Sequence, residues 1–105
     1  MKYKIFEDLI QAQSMIPVTK TKLLVVAGQR VCLAHTARGL FAVEDNCPHL
    51  GESLSKGTIN YLDEVVCPWH NYRFNLKTGT ECKYRSRNLK TYPIKIEENG
   101  VYLEI

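Results

Sequence analysis

Two short stretches constrain this chain more than anything else in it. "CPHLG" covers residues 47 to 51 and "CPWH" covers residues 67 to 70. Each sets a thiol and an imidazole beside a proline, and seventeen residues separate His49 from Cys67. Four donors of this kind in two pairs point to a metal. Zinc takes four tetrahedral N/S ligands, and Cys47, His49, Cys67 and His70 would supply them. A zinc knuckle, however, usually draws like ligands from one arm. Here each arm mixes Cys with His, as C-x-H and C-x2-H. That mixture suits a [2Fe–2S] cluster in which one iron takes both thiolates and the other both imidazoles. The fold must therefore bring two loops to one place.

The rest of the chain is strand-like. "KYKIF" (2 to 6) alternates, and "LLVVAG" (23 to 28) and "RVCLAHT" (30 to 36) are apolar runs joined around Gly28-Gln29. "LFAVED" (40 to 45) follows a turn at Arg38-Gly39. "YPIKIE" (92 to 97) and "VYLEI" (101 to 105) flank Asn99-Gly100, a pair that accepts positive φ and predicts a two-residue hairpin. Between the two loops, "GTIN" and "EVVC" predict short strands that turn at Tyr61 to Asp63. A hairpin returns its ends to the same place, which would let 47/49 and 67/70 converge. The one helical candidate is a short turn near Glu7 to Gln13. Short strands with frequent turns predict an all-β antiparallel sandwich or barrel. The length predicts a single domain over 1–105, with a small cluster-binding subdomain over residues 46–80.

"CPHLGESLSKG" and "CPWHNYRFNLKTG" resemble the two cluster-binding boxes of Rieske iron–sulfur proteins, C-x-H-x17-C-x2-H. The likeness runs on through "LFAVED" before the first box and "LKTYPIKIEENGVYLEI" after the second, so it spans nearly the whole chain. It implies one [2Fe–2S] cluster, with Cys47 and Cys67 on an inner iron and His49 and His70 on an outer one. Respiratory and photosynthetic members carry a further Cys in each box, where this chain has Glu52 and Trp69. They also place Ser and Tyr hydroxyls where this chain has Tyr72 and Phe74. Losing donors to the sulfurs lowers the potential, so the resemblance implies the low end of the Rieske span, about −150 mV. It implies an electron-transfer component that is not catalytic alone, serving a flavoprotein reductase and a terminal oxygenase. The alternative is the small subunit of an NAD(P)H-dependent nitrite reductase.

Two positions depart from the family pattern. Asn71 stands where Gly commonly follows the second His, and Asn tolerates positive φ next best. The third loop, "KYRSRN", lacks its usual proline and carries Arg85 and Arg87. These two predict an acidic partner surface, against the plainer reading of a solvated loop.

Composition narrows the function classes. At 45% hydrophobic and 24% charged, the chain is globular in character, and its net charge of +3 is too mild to imply nucleic-acid binding. No segment reaches the roughly 20 apolar residues of a membrane helix, which predicts no membrane role and a cytoplasmic location. The four cysteines suit a reducing compartment if two bind metal. Cys32 and His35 read as structural residues of an apolar strand, and Cys82 as a free thiol. Trp69 reads as a shield for the cluster or as a lid on the core. Pro48, Pro68 and Gly51 are expected to shape the loops, and Gly79 to serve a turn.

Overall fold

The computed structural model describes residues 1–49 and 51–105; Leu50 lies outside them. In chain order the elements are β1 (Lys2–Phe6), α1 (Leu9–Met15), β2 (Lys20–Val26), β3 (Gln29–Thr36), β4 (Gly39–Glu44), a 3₁₀ turn (Leu54–Lys56), β5 (Thr58–Ile59), β6 (Glu64–Val66), β7 (Arg73–Asn75), β8 (Thr91–Tyr92), β9 (Ile94–Glu97) and β10 (Gly100–Glu104). They form three antiparallel sheets, ordered β1-β10-β9, β2-β3-β4-β8 and β5-β6-β7. None of the sheets closes on itself among the described residues, so the architecture is layered and is not a barrel.

The middle sheet explains why "RVCLAHT" is apolar without a break. A strand sends successive side chains to opposite faces. On β3, Val31 and Leu33 face one core, with Phe6, Ala12, Ile16, Val101 and Leu103. Cys32 and Ala34 face the other, with Cys47, Leu54, Val65, Cys67, Phe74, Leu76 and Leu89. Both faces are covered, so both parities are apolar. On β4, Ala42 and Val43 divide between the two cores in the same way. Each fully buried aliphatic of this size contributes about 1.5–3 kcal/mol.

The second core is the one that matters for the site. It contains both box cysteines and is roofed by β5, β6 and β7. Residues 60–63 turn β5 into β6, and Asn60 Oδ1 fixes that turn by accepting the N–H groups of Leu62 and Glu64, both at 3.0 Å. The expected hairpin between the two loops is therefore present, and β6 runs straight into the second box.

Three turns sit one residue from where the sequence puts them. β2 turns into β3 at Ala27 and Gly28, which take φ of 51° and 75° and suit a two-residue hairpin turn. β3 turns into β4 at Ala37 and Arg38, with Thr36 opposite Gly39. β9 turns into β10 at Glu98 and Asn99, because Gly100 already pairs with Glu97. Gly100 takes φ of 157°, and a Cβ there would stand 3.2 Å from the Phe6 carbonyl oxygen on β1. The helical turn is α1, started by Asp8, whose Oδ1 accepts the Gln11 N–H at 2.8 Å. It seals one core with Ala12 and Ile16.

Candidate metal centre

Both loops are closed in the same way. Cys47 N–H donates to the Glu52 carbonyl at 2.9 Å, and Cys67 N–H donates to the Tyr72 carbonyl at 2.7 Å. Each bond spans five residues. Tight loops of this kind need left-handed backbone. Gly51 supplies it in the first, with φ of 77°; His70 and Asn71 supply it in the second, with φ of 61° and 55°. Asn71 thus takes the conformation expected of a residue standing in for Gly.

The four predicted donors come together as two pairs. Cys47 and Cys67 are fully buried in the same core cluster. Burial pushes the Cys67 thiol up; a backbone hydrogen bond with Trp69 opposes this, the neighbouring Cys47 adds to it, and the result is about 11. A thiol raised in this way does not ionise unaided, and a bound metal would supply the missing positive charge. The His49 and His70 rings lie with centroids 5.0 Å apart and planes tilted by 51°. His70 is exposed, whereas His49 is half-buried. The Nδ1 atom of His49 is buried and has no hydrogen-bond partner. An orphaned buried nitrogen costs about 1–3 kcal/mol, so it is expected to have a ligand. Among the described residues no group of three or more His, Cys, Asp or Glu is gathered to hold one metal ion. Two thiols in one pair and two imidazoles in the other fit a two-iron cluster with one pair on each iron.

Residues outside the boxes complete the surroundings. Tyr72 stacks on His49 with centroids 3.9 Å apart and planes within 8°. The Arg85 guanidinium lies 3.8 Å from the centre of the Tyr72 ring. Glu81, fully buried, holds Arg85 through both carboxylate oxygens, at 3.0 and 2.8 Å. Sequence reasoning did not find this group. Tyr72, Glu81 and Arg85 have no common spacing rule, and only the fold brings them together. The third loop is tied down by Leu89 N–H, which donates to the Gly79 carbonyl at 2.8 Å. Gly79 does more than make a turn: at φ of 79°, a Cβ on it would collide with the Leu89 carbonyl oxygen.

The predicted basic patch changes character. Arg85 is engaged by Glu81, and Arg87 by Glu44, with Nη2 to Oε2 at 3.1 Å. Neither arginine is a free charge. Trp69 is 52% exposed and does not close the core. Glu52 accepts the Ser53 N–H at 2.8 Å and faces Lys56. All four cysteines are free, so no disulfide joins the loops.

A profile for the Rieske-like [2Fe–2S] domain matches residues 5–104 of the chain. The chain belongs to this family. It is 34% identical over 76 residues to a 3-phenylpropionate/cinnamic acid dioxygenase ferredoxin subunit of Photorhabdus laumondii, covering 71% of this chain and 72% of the relative. Its fold superimposes with a TM-score of 0.82, at 24% identity, on a chain from a complex of reduced oxygenase and oxidized ferredoxin in carbazole 1,9a-dioxygenase, covering 98% of this chain and 92% of that one. A chain described as a nitrite reductase NADPH small subunit superimposes with a TM-score of 0.81, at 23% identity, covering 100% and 99%. At those identities the two superpositions show the fold alone.

The cofactor of this Rieske protein is therefore a [2Fe–2S] cluster, and the zinc reading falls away. The remaining titratable candidates lie outside the site. His35 is buried, with Nδ1 2.6 Å from the Ile16 carbonyl oxygen. Cys32 is a core residue whose thiol burial pushes up to about 12. Cys82 is half-buried, its Sγ 3.3 Å from Glu81 Oε2.

Proposed function

We propose that this Rieske protein is a one-electron carrier that accepts electrons from a flavoprotein reductase and passes them to a terminal oxygenase. Cys47 and Cys67 hold the inner iron, and His49 and His70 hold the outer one. The observation that carries the assignment is the orphaned, buried Nδ1 of His49, set beside a second imidazole and near a buried thiol pair. When bound, the cluster takes up and returns one electron without breaking a bond. The residues do the rest. The two cysteines keep the inner side dry and anchored to the core of β3, β4 and β6. His70 puts an imidazole edge in solvent, where a partner can approach it. Trp69 flanks it with exposed aromatic surface.

The oxygenase reading is supported by the relative of 34% identity, itself a dioxygenase ferredoxin subunit. The nitrite reductase reading has only a shared fold behind it. Phe74 is fully buried and has no hydroxyl to offer a sulfur, which supports a potential near the low end of the Rieske span, about −150 mV. We place the protein in the cytoplasm, where its four free thiols stay reduced. No helix is long and apolar enough to cross a membrane. Residues 1–105 act as one domain, with 46–80 as its cluster-binding part. The test is iron and acid-labile sulfide analysis of purified protein, then stopped-flow transfer to a dioxygenase terminal component. Two irons, two sulfides and rapid oxidation by the oxygenase are expected. Full cluster content with no transfer to any oxygenase, but transfer within a nitrite reductase, sinks the partner assignment.

A further inference from the structure

His70 and His49 differ in what lies behind them. His70 stands in solvent, whereas His49 is the end of a column. Tyr72 stacks on it at 3.9 Å, and the Arg85 guanidinium lies 3.8 Å from the Tyr72 ring centre. At those distances both cannot share one face of the phenol ring, so Arg85 covers the face away from His49. Glu81 closes the column. Its side chain is 0% exposed; Oε1 accepts Arg85 Nε at 3.0 Å and the Arg85 backbone N–H at 2.7 Å, while Oε2 accepts Nη2 at 2.8 Å. A guanidinium held by two parallel hydrogen bonds keeps its plane. The column starts at a buried carboxylate and ends at a candidate ligand.

We propose that Glu81, Arg85 and Tyr72 are positioning residues that fix the plane of the His49 imidazole and set the reduction potential of the cluster it holds. This rests on the assignment of His49 as a ligand and not on which partner takes the electron. Two effects are built in. Rotation of His49 about its Cβ–Cγ bond would break a stack that is parallel to within 8°. The Glu81–Arg85 pair also presents its positive end toward Tyr72 and His49, which favours the added electron of the reduced state. Tyr72 holds the cation in line with His49, because a cation is attracted to the ring face.

The charges predict shifts of opposite sign, which a purely structural role does not. Redox titration of purified holo-protein, followed by its electron paramagnetic resonance signal, reads them. Arg85→Gln is expected to weaken one-electron reduction about threefold, equivalent to ~30 mV lower. Glu81→Gln leaves the cation uncompensated and is expected to move the potential up by a similar amount. Tyr72→Leu lowers it, and Tyr72→Phe, which keeps the ring, restores it. Arg85→Lys keeps the charge without the planar fork; it recovers the potential in part and alters the imidazole nitrogen hyperfine couplings.

Arg85→Gln and Glu81→Gln shifting the same way, or neither shifting at full cluster content, overturns the proposal. If Glu81→Gln yields no folded protein, the two Arg85 variants decide: equal potentials overturn the column. His49→Ala separates this failure from that of the ligand assignment. A full, spectroscopically native cluster in His49→Ala removes the assignment itself, whereas loss of the cluster there, with unshifted potentials in the column variants, removes only the column.

Discussion

The two box loops close with the same hydrogen bond and then diverge. In the first, the carbonyl that receives the Cys47 N–H belongs to Glu52, whose side chain turns to Ser53 and Lys56. In the second, the receiving carbonyl belongs to Tyr72, whose side chain crosses to the imidazole of the other loop. The second loop thus both contributes the exposed His70 and buttresses the half-buried His49. Equivalent box positions need not have equivalent surroundings. One imidazole is left open for a partner, and the other is fixed from behind.

The comparison can be broken at several points, the hardest first. Cys67→Ser and Cys47→Ser are each expected to lose the cluster almost entirely, read as iron and sulfide content, because a hydroxyl would not replace a thiolate ligand of the inner iron. If one of the two keeps a full cluster, the loops do not contribute equally.

Gly79→Ala comes next, since it both forces positive φ on a β-carbon residue and collides with Leu89. A loss of about 2–3 kcal/mol is expected from denaturant unfolding, together with loosening of the loop that carries Arg85. An unchanged midpoint would show that the third loop is not held there.

The acid limb tests the column's foundation. The Arg85 guanidinium, against the cost of burial, holds the Glu81 carboxyl down from 4.5 to about 2. A carboxylate with a depressed folded value stabilises fully above its unfolded value, and that stabilisation is lost as the pH falls through the folded one. Unfolding measured between pH 4.5 and 2 should therefore lose stability steadily in the native protein. Glu81→Gln should flatten that slope and, at neutral pH, cost about 2 kcal/mol by weakening the anchor of Arg85.

A smaller contrast sets the histidines against each other. In cluster-free protein Tyr72→Leu, which removes the stack on His49, is expected to cost about 1 kcal/mol, and His70→Ala about zero, since Ala and His carry the same Cβ at left-handed φ. Equal costs would mean that the stack contributes nothing. Smallest of all, Arg87→Gln breaks a half-exposed pair with Glu44. Burial pushes the Glu44 carboxyl up, but Arg87 and the Lys90 N–H outweigh it and leave it lowered. The expected loss is below about 1 kcal/mol and shrinks in salt.

Much of the molecule was legible in its residues. β3 and β4 were legible because runs that stay apolar at both parities describe a strand covered on both faces. The hairpin between the loops was legible from its short strands and turn, although three other turns moved by one residue. Gly100 shows why: it favours a turn locally, but the β9–β10 ladder pairs it with Glu97 and so places it in the strand. The basic third loop was legible as charge, but its internal pairing was not, because its carboxylate partners lie elsewhere, Glu44 far back on β4 and Glu81 buried beneath.

The sequence alone determined the chemistry. A thiol and an imidazole in each of two loops, at this spacing, offer the mixed donor set that the proposed ligation needs, since the identity of a donor atom is a local property of its side chain. Tertiary structure decided the surroundings of those donors: which imidazole is open, which is stacked, and where the charge of Arg85 points. Those depend on residues 49, 72, 81 and 85 meeting across three loops, and only packing brings them into contact.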